Sequence, residues 1–156
     1  MRRRATWPLL ALAFALGCGH KPPYEGRSVS ELRRMLSDTN PSTRVQGAYG
    51  LSLQGPKAKE AVPDLVKALQ SSDALLRAQA ALALGAIGPD ARDAVPALTT
   101  ALDDPEWSVR RQSAMALGAI GPDARPAVPV LHRLQNSDPN GLVRKAVEKV
   151  LTKLEG

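Results

Sequence analysis

The chain has 156 residues, 44% apolar but only 3% aromatic, with a formal charge of +6. That length holds one domain plus a targeting segment, and so few aromatics argue against a sheet, which draws on β-branched and aromatic residues. A single cysteine excludes a disulfide framework.

The first element is an export signal. Residues 1–17 read MRRRATWPLLALAFALG, with Arg2, Arg3 and Arg4 ahead of an apolar run from Ala5 to Leu16. A spanning helix needs about 20 residues, so this run suits a secretory h-region instead. Removing it leaves eighteen basic against fifteen acidic residues. Half of the apparent basicity therefore belongs to the signal, and a mixed-charge surface remains. The run ends in Ala15-Leu16-Gly17-Cys18. This resembles a bacterial lipobox, with Ala15 where Leu is usual, and implies lipid attachment and membrane anchoring at Cys18. Gly19 in place of Asp implies the outer membrane, facing the periplasm, in a Gram-negative host. Residues 18–27 form a tether, in which Pro22-Pro23 favours an extended chain.

From residue 28 the sequence is periodic, the mark of a repeat architecture. Arg44, Arg77 and Arg110 are 33 residues apart, as are Gln46, Gln79 and Gln112. Gly55, Gly88 and Gly121 keep the same step, each followed by proline. Val62, Val95 and Val128 do likewise, and Leu32, Leu65, Leu98 and Leu131 complete the register.

Each period predicts two helices. Ser28 and Glu31 read as a capping box opening a lone second-type helix to about Ser37. In the next full unit Asp73 is the N-cap of a first-type helix, and Leu76, Ala80, Ala83, Leu84 and Ile87 form its apolar stripe. Gly88 stops that helix as a left-handed C′ residue, and Pro89 blocks continuation. A second-type helix starts near Arg92–Ala94 and runs to about Leu102, with Pro96 in its first turn. In the third unit Asp104 is the cap and Pro105 the first helical residue. Residues 141–154 form a lone first-type helix, shifted by one residue, with Pro139-Asn140-Gly141 absorbing the insertion. Glu148, Lys149 and Lys153 give it the polar face that a terminal unit requires.

Units of this kind stack into an all-α solenoid of antiparallel helix pairs, about three and a half in number. The stretch 41–154 resembles HEAT repeats of the short type associated with phycobilisome lyases, carried by VRRQSAMALGAIGPDA at 109–124 and by A-V-P-x-L at 94–98 and 127–131. The domain division is then 1–17 signal peptide, 18–27 tether and 28–155 repeat domain.

Candidate chemistry is sparse. His20 lies in the tether, and His132 has no second structured histidine with which to share a metal. HEAT-like hydroxylases imply His-Glu metal-binding pairs, and the sequence has none. The G-x-x-G at 85–88 and 118–121 lacks the Lys-Ser/Thr and the preceding strand of a phosphate loop. Gly85 and Gly118 read instead as sites of close backbone approach. No catalytic residue, metal, cofactor or small-molecule substrate is expected.

The ladder Arg44, Arg77, Arg110, Arg144 suits inter-unit pairing with Asp38, Asp73, Asp104 and Asp138 better than phosphate contacts, so no nucleic-acid partner is expected. Trp107 reads equally as an interface anchor or as a cover for the loop between units. The exposed side of the second-type helices usually lines the concave face of such a solenoid. Asp64, Lys67, Ala97, Thr100, Val130 and Arg133 occupy it, and with Trp107 they are the candidate partner surface. The reading is an envelope-anchored, non-catalytic scaffold for protein partners. The alternative, by resemblance, is a partner of an enzyme such as a chromophore lyase.

Overall fold

A computed structural model describes residues 21–156, so the signal sequence, Cys18 and His20 lie outside the described residues. Among the described residues there are eight α-helices and no strand. The first-type helices are α2 (Pro41–Gln54), α4 (Ala74–Ile87), α6 (Trp107–Ile120) and α8 (Gly141–Glu155). The second-type helices are α1 (Val29–Met35), α3 (Val62–Ala68), α5 (Val95–Ala101) and α7 (Val128–Ser137). Tight 3-10 corners at Gly55–Ala61, Gly88–Ala94 and Pro122–Ala127 join each first-type helix to the next second-type one. None of these helices is long and apolar enough to cross a membrane.

The first-type helices pack in sequence, α2 on α4, α4 on α6 and α6 on α8, and each second-type helix packs beside the first-type helix that follows it. The register leucines Leu32, Leu65, Leu98 and Leu131 are fully buried, as are Leu51, Leu84 and Leu117 at the ends of the first-type helices. Each such leucine is worth about 2–5 kcal/mol against alanine, the sum of lost transfer energy and cavity.

Small residues set the spacing between layers. A Cβ on Gly85 would stand 3.1 Å from the Ala116 Cα, and one on Gly118 would stand 2.8 Å from Val150 Cγ2. Both glycines are therefore points of close approach between successive first-type helices, as the sequence suggests.

The caps follow the sequence in part. Ser28 and Glu31 form the capping box, and Asp73 accepts from the amides of Leu75 and Leu76. Asn40 and Asn140 serve α2 and α8 in the same way. In the third unit the helix begins at Trp107 rather than at Pro105, and its N-cap residue Glu106 makes no side-chain cap bond. Asp104 instead accepts from the Glu106 amide, and its carboxylate is engaged by an arginine from the preceding unit.

The stop glycines also differ from expectation. Gly55, Gly88 and Gly121 have φ of 56°, 75° and 87°, but ψ of −133°, −137° and −141°. That is not the left-handed helical region but the mirror image of the polyproline region. The following proline drives its predecessor away from helical ψ toward extended values. A residue held at positive φ before proline therefore takes this mirrored extended shape.

The tether is not extended throughout. The Glu25 amide donates to the Pro22 carbonyl at 2.9 Å, closing a turn. Tyr24 then packs on the core and edge-on to Tyr49, with ring centroids 5.1 Å apart. Burying that ring against α2 outweighs the polyproline preference. At the other end the extra residue lies in α7, which runs for 10 residues where α3 and α5 stop at 7, and not in Pro139-Asn140-Gly141, because Asp138 and the N-cap Asn140 already repeat Asp104 and Glu106.

Candidate partner surface

The arginine ladder splits each guanidinium between two tasks. Arg77 Nη1 donates to the carbonyls of Ser71 and Ser72 at 2.8 and 3.1 Å, while Nε and Nη2 grip both Asp104 oxygens at 2.7 and 2.9 Å. Arg110 repeats this one unit on, with Asp104 and Pro105 carbonyls on one side and Asp138 at 2.7 and 3.0 Å on the other. The planar fork of arginine permits this division, which a lysine cannot reproduce.

The pairing differs from the expected one at both ends. Arg44 reaches only the Asp38 and Thr39 carbonyls, because Ser71 stands where its carboxylate partner would be. Arg144 holds the Asp138 carbonyl at 2.6 Å. Asp73 is no ladder acid, since its carboxylate caps α4.

Burial decides the energetics of the inner pairs. Side-chain exposure is 12% and 9% for Arg77–Asp104 and 11% and 1% for Arg110–Asp138. Burial pushes the carboxyls of Asp104 and Asp138 upward, but the bonds from Arg77 and Arg110, with the backbone amides of Glu106 and Asn140, hold both below the ordinary carboxylate value. The same bonds raise the two guanidinium groups further. Removing one partner of such a buried pair costs about 3–5 kcal/mol, because the other charge is stranded.

The candidate surface residues lie along the row of second-type helices, where two hollows recur at equivalent places. One of about 250 Å³ lies between α1 and α3 and includes Leu36, Asp64 and Lys67. The next, of about 410 Å³, lies between α3 and α5 and includes Leu69, Ala97 and Thr100. Asp64 also pairs with Arg33 at 2.7 Å, and Arg133 with Asp103 at 2.6 Å, so consecutive second-type helices are strapped at both ends of the row. Arg133 and Asp103 are more than half exposed, and such a pair contributes about 0–1 kcal/mol. Thr100 Oγ1 donates back to the Pro96 carbonyl at 3.2 Å, so its hydroxyl proton is already engaged.

Trp107 opens α6, is 41% exposed, and lines neither hollow. His132 is a half-exposed residue of α7, and its Nε2 lies 2.7 Å from Glu155 and links α7 to α8. The sequence reading missed that partner and both Arg–Asp straps between the second-type helices. The signal for Arg33–Asp64 was a spacing of 31, which falls outside the register of 33. Among the described residues no three His, Cys, Asp or Glu side chains gather as a metal site would require.

Comparison with known proteins agrees with this architecture. A family model described as HEAT repeats matches residues 29–92 and 62–152. Human deoxyhypusine hydroxylase in complex with glycerol is similar at 35% identity and a TM-score of 0.65, over 86% of this chain and 46% of that one. Two engineered proteins are similar at 25% and 28% identity, each with a TM-score of 0.66, over 81% and 82% of this chain. They are matched over 62% and 38% of their own lengths, so the chain spans less than two thirds of each of the three. No curated protein sequence matches it. The repeat register, the stacked helix pairs and the family match together place this chain among the HEAT-repeat proteins.

Proposed function

We propose that the chain is a non-catalytic interaction scaffold of the cell envelope, anchored through a lipid on Cys18 and presenting its second-type helices to a protein partner. The observation that carries the reading is the regular row of hollows between α1, α3 and α5, on a stack whose buried charges are already paired. Such a row offers a repeating surface on a rigid support, which suits recognition rather than bond making. The lipobox-like Ala15–Cys18 and the basic, apolar leader support export and anchoring. With so few units the interface is small, or the chain extends a larger assembly.

Crosslinking in cells followed by capture of the tagged full chain tests this. The wild type is expected to carry one or a few discrete partners, and the Lys67→Glu, Thr100→Glu double variant is expected to lose them while keeping its melting temperature. Absence of any discrete partner overturns the scaffold reading. The likeness to a hydroxylase and the resemblance of the repeats to those of phycobilisome lyases favour a second reading, in which the chain assists an enzyme. A saturable, stoichiometric complex with a free tetrapyrrole would replace the first reading with that one.

A further inference from the structure

A third depression lies away from the row of second-type helices. Between α6 and α8, on the outer side of the first-type layer, a groove of about 540 Å³ opens to solvent. Its apolar part includes Met115, Leu142 and Ala146, and Met115 and Leu142 are 42% and 56% exposed. Its charged part consists of Arg111, Lys145, Lys149 and Lys153, and no carboxylate lines it.

These cations are not required by the repeat. The residues of α6 equivalent to Lys149 and Lys153 are Met115 and Ala119, and those of α4 are Leu82 and Ala86. Nor are they used up internally. Among the described residues Arg111, Lys145 and Lys149 enter no ion pair. Lys153 spends one bond on the Gly118 carbonyl at 2.6 Å, and an ammonium has three to give. A polar end face meant only for solvent mixes both signs, as Glu148 does elsewhere on α8. The groove has one sign alone.

The arrangement is linear. Lys145, Lys149 and Lys153 follow one another at four-residue intervals, a line of about 12 Å along one side of α8. A single phosphate or carboxylate would meet only part of that line. A helix lying between α6 and α8 would meet all of it, with its apolar stripe on Met115 and Leu142 and carboxylates every turn on one flank. Two packed helices offer such a seat by interlocking their side-chain ridges with those of a third.

We infer that the α6–α8 groove docks an acidic amphipathic helix of a partner protein. This rests on the chain being an interaction module, and adds a second surface with its own partner chemistry. Charge complementarity chooses the occupant, and it predicts association that weakens with salt.

The test uses two fluorescein-labelled designed peptides of about five helical turns, with one leucine stripe and either glutamate or lysine flanks, titrated into the full chain by fluorescence anisotropy. The glutamate peptide is expected to bind, more tightly at low salt, and an NMR titration of the isotope-labelled chain is expected to show amide shifts centred on Met115, Leu142 and Ala146. Lys145→Glu with Lys149→Glu is expected to weaken it by about tenfold or more, to strengthen the lysine peptide, and to leave the melting temperature unchanged. The Lys67→Glu, Thr100→Glu variant is expected to bind the glutamate peptide as the wild type does, which separates this surface from the first. Equal binding of both peptides, no binding, or amide shifts centred on Thr100 overturns the inference. Lysine-dependent binding to phosphatidylglycerol vesicles without peptide binding overturns it in favour of a membrane surface. Cellular capture that fails while groove binding holds would remove the second-type surface and keep this one.

Discussion

Gly121 offers a perturbation whose cost comes from one source. A Cβ at this position meets no atom within 4 Å, so a side chain causes no clash. Its φ of 87° and ψ of −141° nonetheless lie where L-residues are strained. Holding a non-glycine residue in so sparsely populated a region costs about 1–3 kcal/mol. Gly→Ala also reduces the freedom of the unfolded chain, which returns about 0.4–1 kcal/mol. Gly121→Ala is therefore expected to destabilise by about 1–2 kcal/mol, which for a domain of this size lowers the melting temperature by about 3–8 °C. Urea unfolding followed by circular dichroism measures it. Gly121→Asn is the diagnostic companion. Asparagine tolerates the left-handed helical region but not the mirrored extended one, so it is expected to do no better than alanine. A variant Gly121→Ala as stable as the wild type would refute the conformational argument. Rescue by asparagine would show that the corner has the ordinary left-handed shape.

Other consequences concern buried polar groups and the leader. Ser113 is fully buried in α6 and its hydroxyl has no partner, whereas its counterpart in α4 is Ala80. Ser113→Ala is expected to stabilise by about 1 kcal/mol, read as a higher urea midpoint, and a lower one would refute it. Asp138 titrates below the ordinary carboxylate value in the folded chain. Its contribution is therefore present above about pH 4, the unfolded value, and is lost as pH falls through the depressed folded value. Asp138→Asn is expected to lower stability at neutral pH and to flatten the acid limb of the stability–pH curve, so that the two proteins converge in acid; parallel curves would contradict the pairing. Cys18→Ser is expected to move the chain from the membrane to the soluble fraction, and continued sedimentation with membranes would remove the lipid anchor from the account.

Much of the fold was legible because the repeat has to solve the same geometric problem in every unit. Leu32, Leu65, Leu98 and Leu131 recur since each fills the same interior place, and glycine followed by proline recurs since each corner needs positive φ and a stop. What was less legible came from competition between neighbours. The mirrored ψ of Gly121 arises from the proline after it, a restraint that a stop-signal reading does not weigh. Asp73 and Asp104 sit one on each side of the same register, at 73 and at 71 plus 33, so sequence alone assigned both as caps; the structure makes one a cap and the other the ladder acid. Tyr24 left the tether because an aromatic ring near an open stack end finds a core. The α6–α8 groove is not legible in the sequence because Lys149 and Lys153 read as a terminal polar face, and only the packed helices bring them to the same side as Arg111 and Met115.

Site-specific photocrosslinking in cells shows whether the row of second-type helices meets a protein partner. A photoreactive residue at Thr100, in the hollow between α3 and α5, is compared with one at Asp123, exposed on the corner before α7. A discrete crosslinked species is expected from Thr100 and none from Asp123. Equal yields from the two positions, or no product from Thr100, would contradict it.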